Sequence, residues 1–263
     1  MGKGKTSTKT VSAKRIVIDE KKPLRIVWWL IGINVFISLL VFSMPSALQE
    51  AVFNNLSFSM SGAGELWRWL SSLFLHVSAS HLFFNMIGLY FFGKVLEKEV
   101  PRSWFLAIYF IGGLLGNLAF GATGAGLVAG ASGCVFAVMG AAMLLNPVRK
   151  THALVIPLPL GMVAVLYVLA EVFVSFFDAT LGGVAHMAHL GGLLTGTVFA
   201  FFHNTRRALK GSLVLGVCLL LLVFLGPVFG FIVGVGAFVL GIIDAVIGFF
   251  VYNIAMVFSF LWV

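Results

Sequence analysis

Charged residues are scarce in this chain and cysteine is nearly absent. Of the 263 residues 10% are charged and 60% are hydrophobic, whereas an ordinary soluble domain is roughly 25% charged. Too few polar side chains are present to cover a water-soluble globule, so the composition excludes one and indicates a membrane protein. The two cysteines, Cys134 and Cys218, both sit inside apolar runs. That excludes a disulfide framework and a thiolate metal site and leaves core packing as their role. A His-Glu-x-x-His string is missing, and no carboxylate stands among His76, His81, His186 and His189. Neither a metal nor a cofactor is therefore expected.

What is present is a series of apolar runs, each close to the roughly 20 residues that a membrane helix needs. Residues 1–25 form a Lys/Ser/Thr-rich tail without apolar periodicity, expected to be disordered over much of its length. The run 26–46 is too long for the apolar part of a cleavable leader and is expected to be the first span. A mixed segment, 47–80, holds Glu50, Glu65, Trp67, Arg68 and Trp69 and reads as a long structured loop with interfacial aromatics. Further spans are expected over 81–96, 103–120, 131–146, 153–177 and 186–202, the fourth ended by Pro147. The stretch 211–263 is apolar enough for one long span or two shorter ones, with Gly226-Pro227 as the break. The expected fold is all-α, a polytopic membrane helical bundle. It divides into a basic tail 1–25, a six-span core 26–205 and one or two C-terminal spans within 206–263.

Lysine and arginine set the orientation, because short cytoplasmic loops are enriched in them. Eight of the 17 precede the first span, Lys94, Lys98 and Arg102 flank the second connection, Arg149 and Lys150 the fourth, and Arg206, Arg207 and Lys210 follow the sixth span. Arg68 alone is left for the opposite side. The N terminus is thus expected in the cytoplasm, with the first loop, the glycine-rich connection 121–130 and the five-six connection outside. The net charge of +8 needs no nucleic acid to explain it; the basic tail suits anionic headgroups of the bilayer.

Polar groups inside such runs are costly and mark working sites. Ser132 lies in Gly-Ala-Ser-Gly (130–133) and His189 in Ala-His-Leu-Gly-Gly (188–192). A serine hydroxyl becomes a nucleophile when a neutral histidine takes its proton, and acyl transfer further needs donors for the developing oxyanion. The Ser132 amide opens a helix, and His81 and Asn85, four residues apart, share one helix face. Span four holds about 16 residues, roughly 24 Å against a hydrocarbon core of about 30 Å, so its serine end is expected below the outer surface. Small residues at four-residue steps, Gly133, Ala137 and Ala141 after Ser132 and Gly192 and Gly196 after His189, would let spans four and six approach closely.

Together these strings resemble the rhomboid family of intramembrane serine proteases over about 65–196: Trp67-Arg68, His81-x-x-x-Asn85, Glu97, Gly130-x-Ser132-Gly133 and Ala188-His189-x-Gly-Gly192. The resemblance implies a six-helix core in which Ser132 attacks, His189 is the base, and His81, Asn85 and the Ser132 amide hold the oxyanion. It implies that the substrate is another protein's transmembrane segment, cut near its outer end through an acyl-enzyme. Many relatives carry Tyr four residues after the serine, where this chain has Phe136. The membrane expected is the cell membrane; the oligomeric state stays open.

Other residues keep a plainer alternative. Ser132 alone could merely cap its helix, and His186, three residues before His189, competes with it for the role of base. Phe173, Phe176 and Phe177 in span five are candidates for a lateral substrate gate. Glu171 is a functional candidate or a satisfied hydrogen bond, Asp244 has no evident partner, Glu97 with Lys94 and Lys98 could be a solvated cluster, and Arg68 with its tryptophans reads as interfacial anchoring. His76 reads as a loop histidine. A non-catalytic chaperone built on the same bundle and a metal-dependent protease are the competing functions.

Overall fold

The computed structural model describes residues 26–124, 126–151, 158–177, 186–224 and 226–258. The basic tail 1–25, His152 and the connection 178–185 lie outside them. The described residues are mostly helical, with one two-residue hairpin.

Helix α1 (Ile26–Phe42) is followed by α2 (Ser46–Leu56) and the short α3 (Leu66–Ser71) with a 3-10 turn (Ser72–Phe74). The expected loop 47–80 is therefore largely helical, because 46–56 and 66–74 contain no residue that stops a helix. Ser78 then caps α4 (Ala79–Leu96), its hydroxyl accepting from the His81 amide at 3.1 Å. After Pro101 comes α5 (Arg102–Gly121), and α6 (Ser132–Leu145) runs 14 residues, or about 21 Å, before Asn146 and Pro147. Strands β1 (Lys150–Thr151) and β2 (Leu158–Pro159) pair antiparallel. Helix α7 (Leu160–Phe177) thus begins later than the sequence predicts, because Pro159 favours extended backbone at Leu158 ahead of it.

Helix α8 (His186–Phe224) continues well past the predicted end, broken only at Asn204, whose backbone is extended (φ −157°, ψ 90°). The Asn204 side chain accepts from the Arg207 amide at 3.0 Å, so it ends one helix and caps the next. Helix α9 (Gly226–Phe258) takes up the remaining apolar stretch.

Among the described residues α5 alone is both long and apolar enough to cross a membrane by itself. The segments 66–74 and 79–96 meet the same criterion jointly but are bent by 88°. The core lies where α6 is enclosed by α4, α5 and α8; nearly all of its side chains from Gly133 to Leu145 are buried. Backbone contact replaces side-chain packing there. A methyl on Gly192 would collide with the Gly133 carbonyl, one on Gly196 with that of Ala137, and one on Gly112 with the Ala137 side chain. Only glycine permits this approach of α8 and α5 to α6.

Candidate functional site

Ser132 is the first residue of α6, so its amide belongs to the first helical turn, whose N–H groups have no intrahelical acceptor. Four residues on, the Phe136 ring lies flat against the His189 imidazole, with centroids 4.4 Å apart and planes 5° from parallel. His189 sits in the first turn of α8 and is buried. The stack sets the imidazole over the opening turn of α6, and the Gly133/Gly192 approach fixes the two backbones one residue from Ser132. Tyr167 of α7 meets the Phe136 ring edge-on at 5.6 Å. His186 meets the His189 ring edge-on at 6.4 Å.

His81 approaches from α4. Gly130 has φ +137°, and a Cβ there would lie 2.6 Å from His81 Cε1 and 2.8 Å from Nε2. Gly130 is thus needed twice, for its backbone angle and for room beside the imidazole. Asn85, one turn on and buried, donates from Nδ2 to the His81 carbonyl at 3.0 Å, so its amide is oriented by α4 itself. Ser132, His189, Phe136, Gly192, His81 and Asn85 come together at one end of α4, α6 and α8. Glu97 lies at the opposite end of α4.

The loop leading to Ser132 is tied to the first long connection. Phe58 and Val128 exchange both backbone hydrogen bonds (3.0 and 2.8 Å), and the Gly130 amide donates to the Ser72 carbonyl at 2.9 Å. The Ser72 hydroxyl accepts from Asn117 Nδ2 of α5 at 2.9 Å. Arg68 has more to do than anchor at an interface. It pairs with Glu65 and donates to the carbonyls of Asn54 (2.6 Å) and Ser57 (3.1 Å), closing 54–68 into one unit. Trp69 packs tilted against Phe58, with centroids 4.5 Å apart, and donates to the Ala63 carbonyl, whereas Trp67 stays exposed.

His76 is not a solvated loop histidine. It is fully buried, its Nδ1 3.0 Å from the Ser38 hydroxyl of α1 and its ring against that of His81 at 5.1 Å. Burial chiefly, and the nearby His81 next, lower its pKa from 6.5 to about 3, so it is neutral at neutral pH. The sequence gives only its spacing from His81 as a hint. At the far end of the bundle Glu97 is buried 3.1 Å from Lys94 rather than solvated. Glu99, which sequence reasoning passed over, faces Arg149 (3.6 Å) and Arg207 (2.9 Å). Arg207 in turn donates to Leu145 O and Asn146 Oδ1.

Phe173, Phe176, Phe177 and Glu171 fall on the last turns of α7, where the side chains lie outside the described residues. Among the described residues no three His, Cys, Asp or Glu side chains are grouped to hold a metal ion. Both cysteines are free.

Residues 63–206, more than half of the chain, match the Rhomboid domain family. The chain is 31% identical over 144 residues to the Rhomboid protease GlpG of Serratia proteamaculans, covering 55% of this chain and 50% of the relative. It is 30% identical over 149 residues to that of Yersinia pseudotuberculosis, with the same coverage. Against the Rhomboid protease GlpG of Pectobacterium atrosepticum it is 29% identical over 186 residues, 70% of this chain and 64% of the relative. The chain thus spans about half to two thirds of the length of these relatives. A matched domain that contains the serine, both ring partners and their glycine contacts leaves one assignment: the chain belongs to the rhomboid family.

Proposed function

We propose that the chain is an intramembrane serine endopeptidase that cuts transmembrane segments of other proteins near their outer end. The observation that carries this is the His189 imidazole held flat on Phe136, one turn from Ser132, where Gly133 and Gly192 bring the two helices into backbone contact. In this reading His189 takes the proton of the Ser132 hydroxyl as its oxygen bonds to the scissile carbonyl carbon. The negative oxygen that results is stabilised by the Ser132 amide, the His81 ring and the Asn85 amide. His189 returns the proton to the departing amine, the C–N bond breaks, and an acyl-serine ester remains. Water, deprotonated by the same histidine, then releases the acid. The Ser-His dyad needs no acidic third member, since Phe136 fixes the ring plane.

The bundle is read as a six-helix core over 26–205, with the tail 1–25 in the cytoplasm and 206–263 adding further spans in the cell membrane. A helix in lipid gives up its backbone hydrogen bonds before a serine can reach a carbonyl, so substrates with Gly, Pro or polar residues near the cut are favoured. Phe173, Phe176 and Phe177 are the candidates for the lateral gate through which such a helix enters. If small replacements there leave the cleavage rate unchanged, the gate assignment falls.

The test is labelling of the purified protein by a fluorophosphonate. Wild type should label and Ser132→Ala should not, and His189→Ala should fail to cleave a membrane-embedded substrate. Labelling that survives Ser132→Ala would refute the assignment.

A further inference from the structure

The C-terminal helix carries a group without a task in that chemistry. Asp244 is the only charged residue in 211–263, and a lone carboxylate on an otherwise apolar membrane helix is costly unless something of opposite charge meets it. Asp244 lines a cavity of about 290 Å³, far more than the roughly 30 Å³ share of one water. Across it stand Ser78 at the start of α4, Gln49 of α2 and Tyr252 of α9; Phe42 and Val251 supply apolar wall, and none of the lining residues is basic. The cavity thus has one pole that seeks a cation and hydroxyls that can donate to an anion. It lies at the end of α1 and the beginning of α4, the level at which the Lys/Arg distribution puts the outer headgroups.

We propose that this cavity binds the headgroup of an ethanolamine phospholipid, its ammonium on Asp244 and its phosphate on the Ser78 and Tyr252 hydroxyls, with Phe42 and Val251 against the glycerol and upper acyl chain. An ammonium with N–H donors satisfies a carboxylate directly, which a choline headgroup cannot do. This rests on the bilayer embedding in the reading above and not on the Ser132 chemistry. Because Ser78 also caps the helix bearing His81, an occupied cavity would brace the outer end of α4.

The full chain is purified in detergent and offered equal amounts of phosphatidylethanolamine and phosphatidylcholine, with retained lipid read by native mass spectrometry. Melting is then followed in vesicles of either composition. Wild type should retain the ethanolamine lipid and melt higher in vesicles that contain it. Asp244→Asn, of the same shape but uncharged, should retain about tenfold less, equivalent to roughly 1.4 kcal/mol of binding, and should melt alike in both vesicles. Gly248→Leu fills the same cavity where an added Cβ meets nothing within 4 Å, so it should fold and show the same loss with Asp244 intact. Equal retention of the two lipids by wild type, or undiminished retention by Asp244→Asn, overturns the proposal. A protein that selects the lipid yet never labels with a fluorophosphonate would sink the hydrolase reading and leave this site standing.

Discussion

Phe136 occupies the position at which the candidate base is oriented. Replacing it with Leu removes the flat face under His189. Such ring contacts contribute about 0.5–1.5 kcal/mol, so we expect the fluorophosphonate labelling rate to fall several-fold in Phe136→Leu and to hold in Phe136→Tyr. Gly192→Ala should be costlier, since the added methyl meets the Gly133 carbonyl. Overpacking of about 1–3 kcal/mol should appear as a lower unfolding midpoint, with Leu190→Ala, an exposed neighbour, as the control. His76 gives a pH dependence. Its folded pKa, about 3, lies below the ordinary 6.5. As pH falls from 6.5 the unfolded chain takes up a proton that the fold refuses, and stability declines until pH nears 3, while above 6.5 this group contributes no slope. The unfolding midpoint should therefore drop between pH about 6.5 and pH about 4, and His76→Asn should flatten that part of the profile.

The first connection shows at the level of elements how far sequence reading reaches. Trp67, Arg68 and Trp69 are visible as a cluster, and amphipathic tryptophans next to apolar runs read as interface anchors. What joins Arg68 to Asn54 and Ser57 is the turn of the chain between α2 and α3, which no local pattern encodes. The same holds for the Phe58–Val128 pairing that ties this connection to the loop before Ser132. Arg68→Ala leaves two carbonyls without a charged donor, a loss of about 1–3 kcal/mol. It should raise proteolytic sensitivity within 54–68 and lower the labelling rate of Ser132, while Arg68→Lys recovers only part of both, because Nη1 serves both carbonyls while Nε holds Glu65, and a single ammonium cannot stand in both places. The helix starts were more legible. The apolar runs 81–96, 103–120 and 131–146 are local signals, and α4, α5 and α6 begin within two residues of them, at Ala79, Arg102 and Ser132.

Across the molecule, Glu99 binds Arg149 and Arg207 at the end of the bundle away from Ser132. It draws together the segments after α4, after α6 and beyond the Asn204 break. Glu99→Gln should lower the unfolding midpoint without changing which residue a fluorophosphonate labels, because the joint lies far from the site. The proposed orientation is tested separately. Lys98→Cys and Gly64→Cys, the latter at a position where an added Cβ meets nothing within 4 Å, should react with an impermeant maleimide from opposite sides of sealed vesicles, and labelling of both from one side would reject the topology.

Residue chemistry and helical period alone determined that this chain is a bundle of apolar helices with a serine, two histidines and an asparagine near helix starts, since burial in lipid and capping leave local marks. Only the tertiary structure decided that Phe136 faces His189, that Gly130 makes room for His81, that His76 is sealed against Ser38 and that Glu99 joins three segments. These depend on how closely distant backbones approach. Glycine allows that approach at many positions, and the packed fold selects the ones that use it.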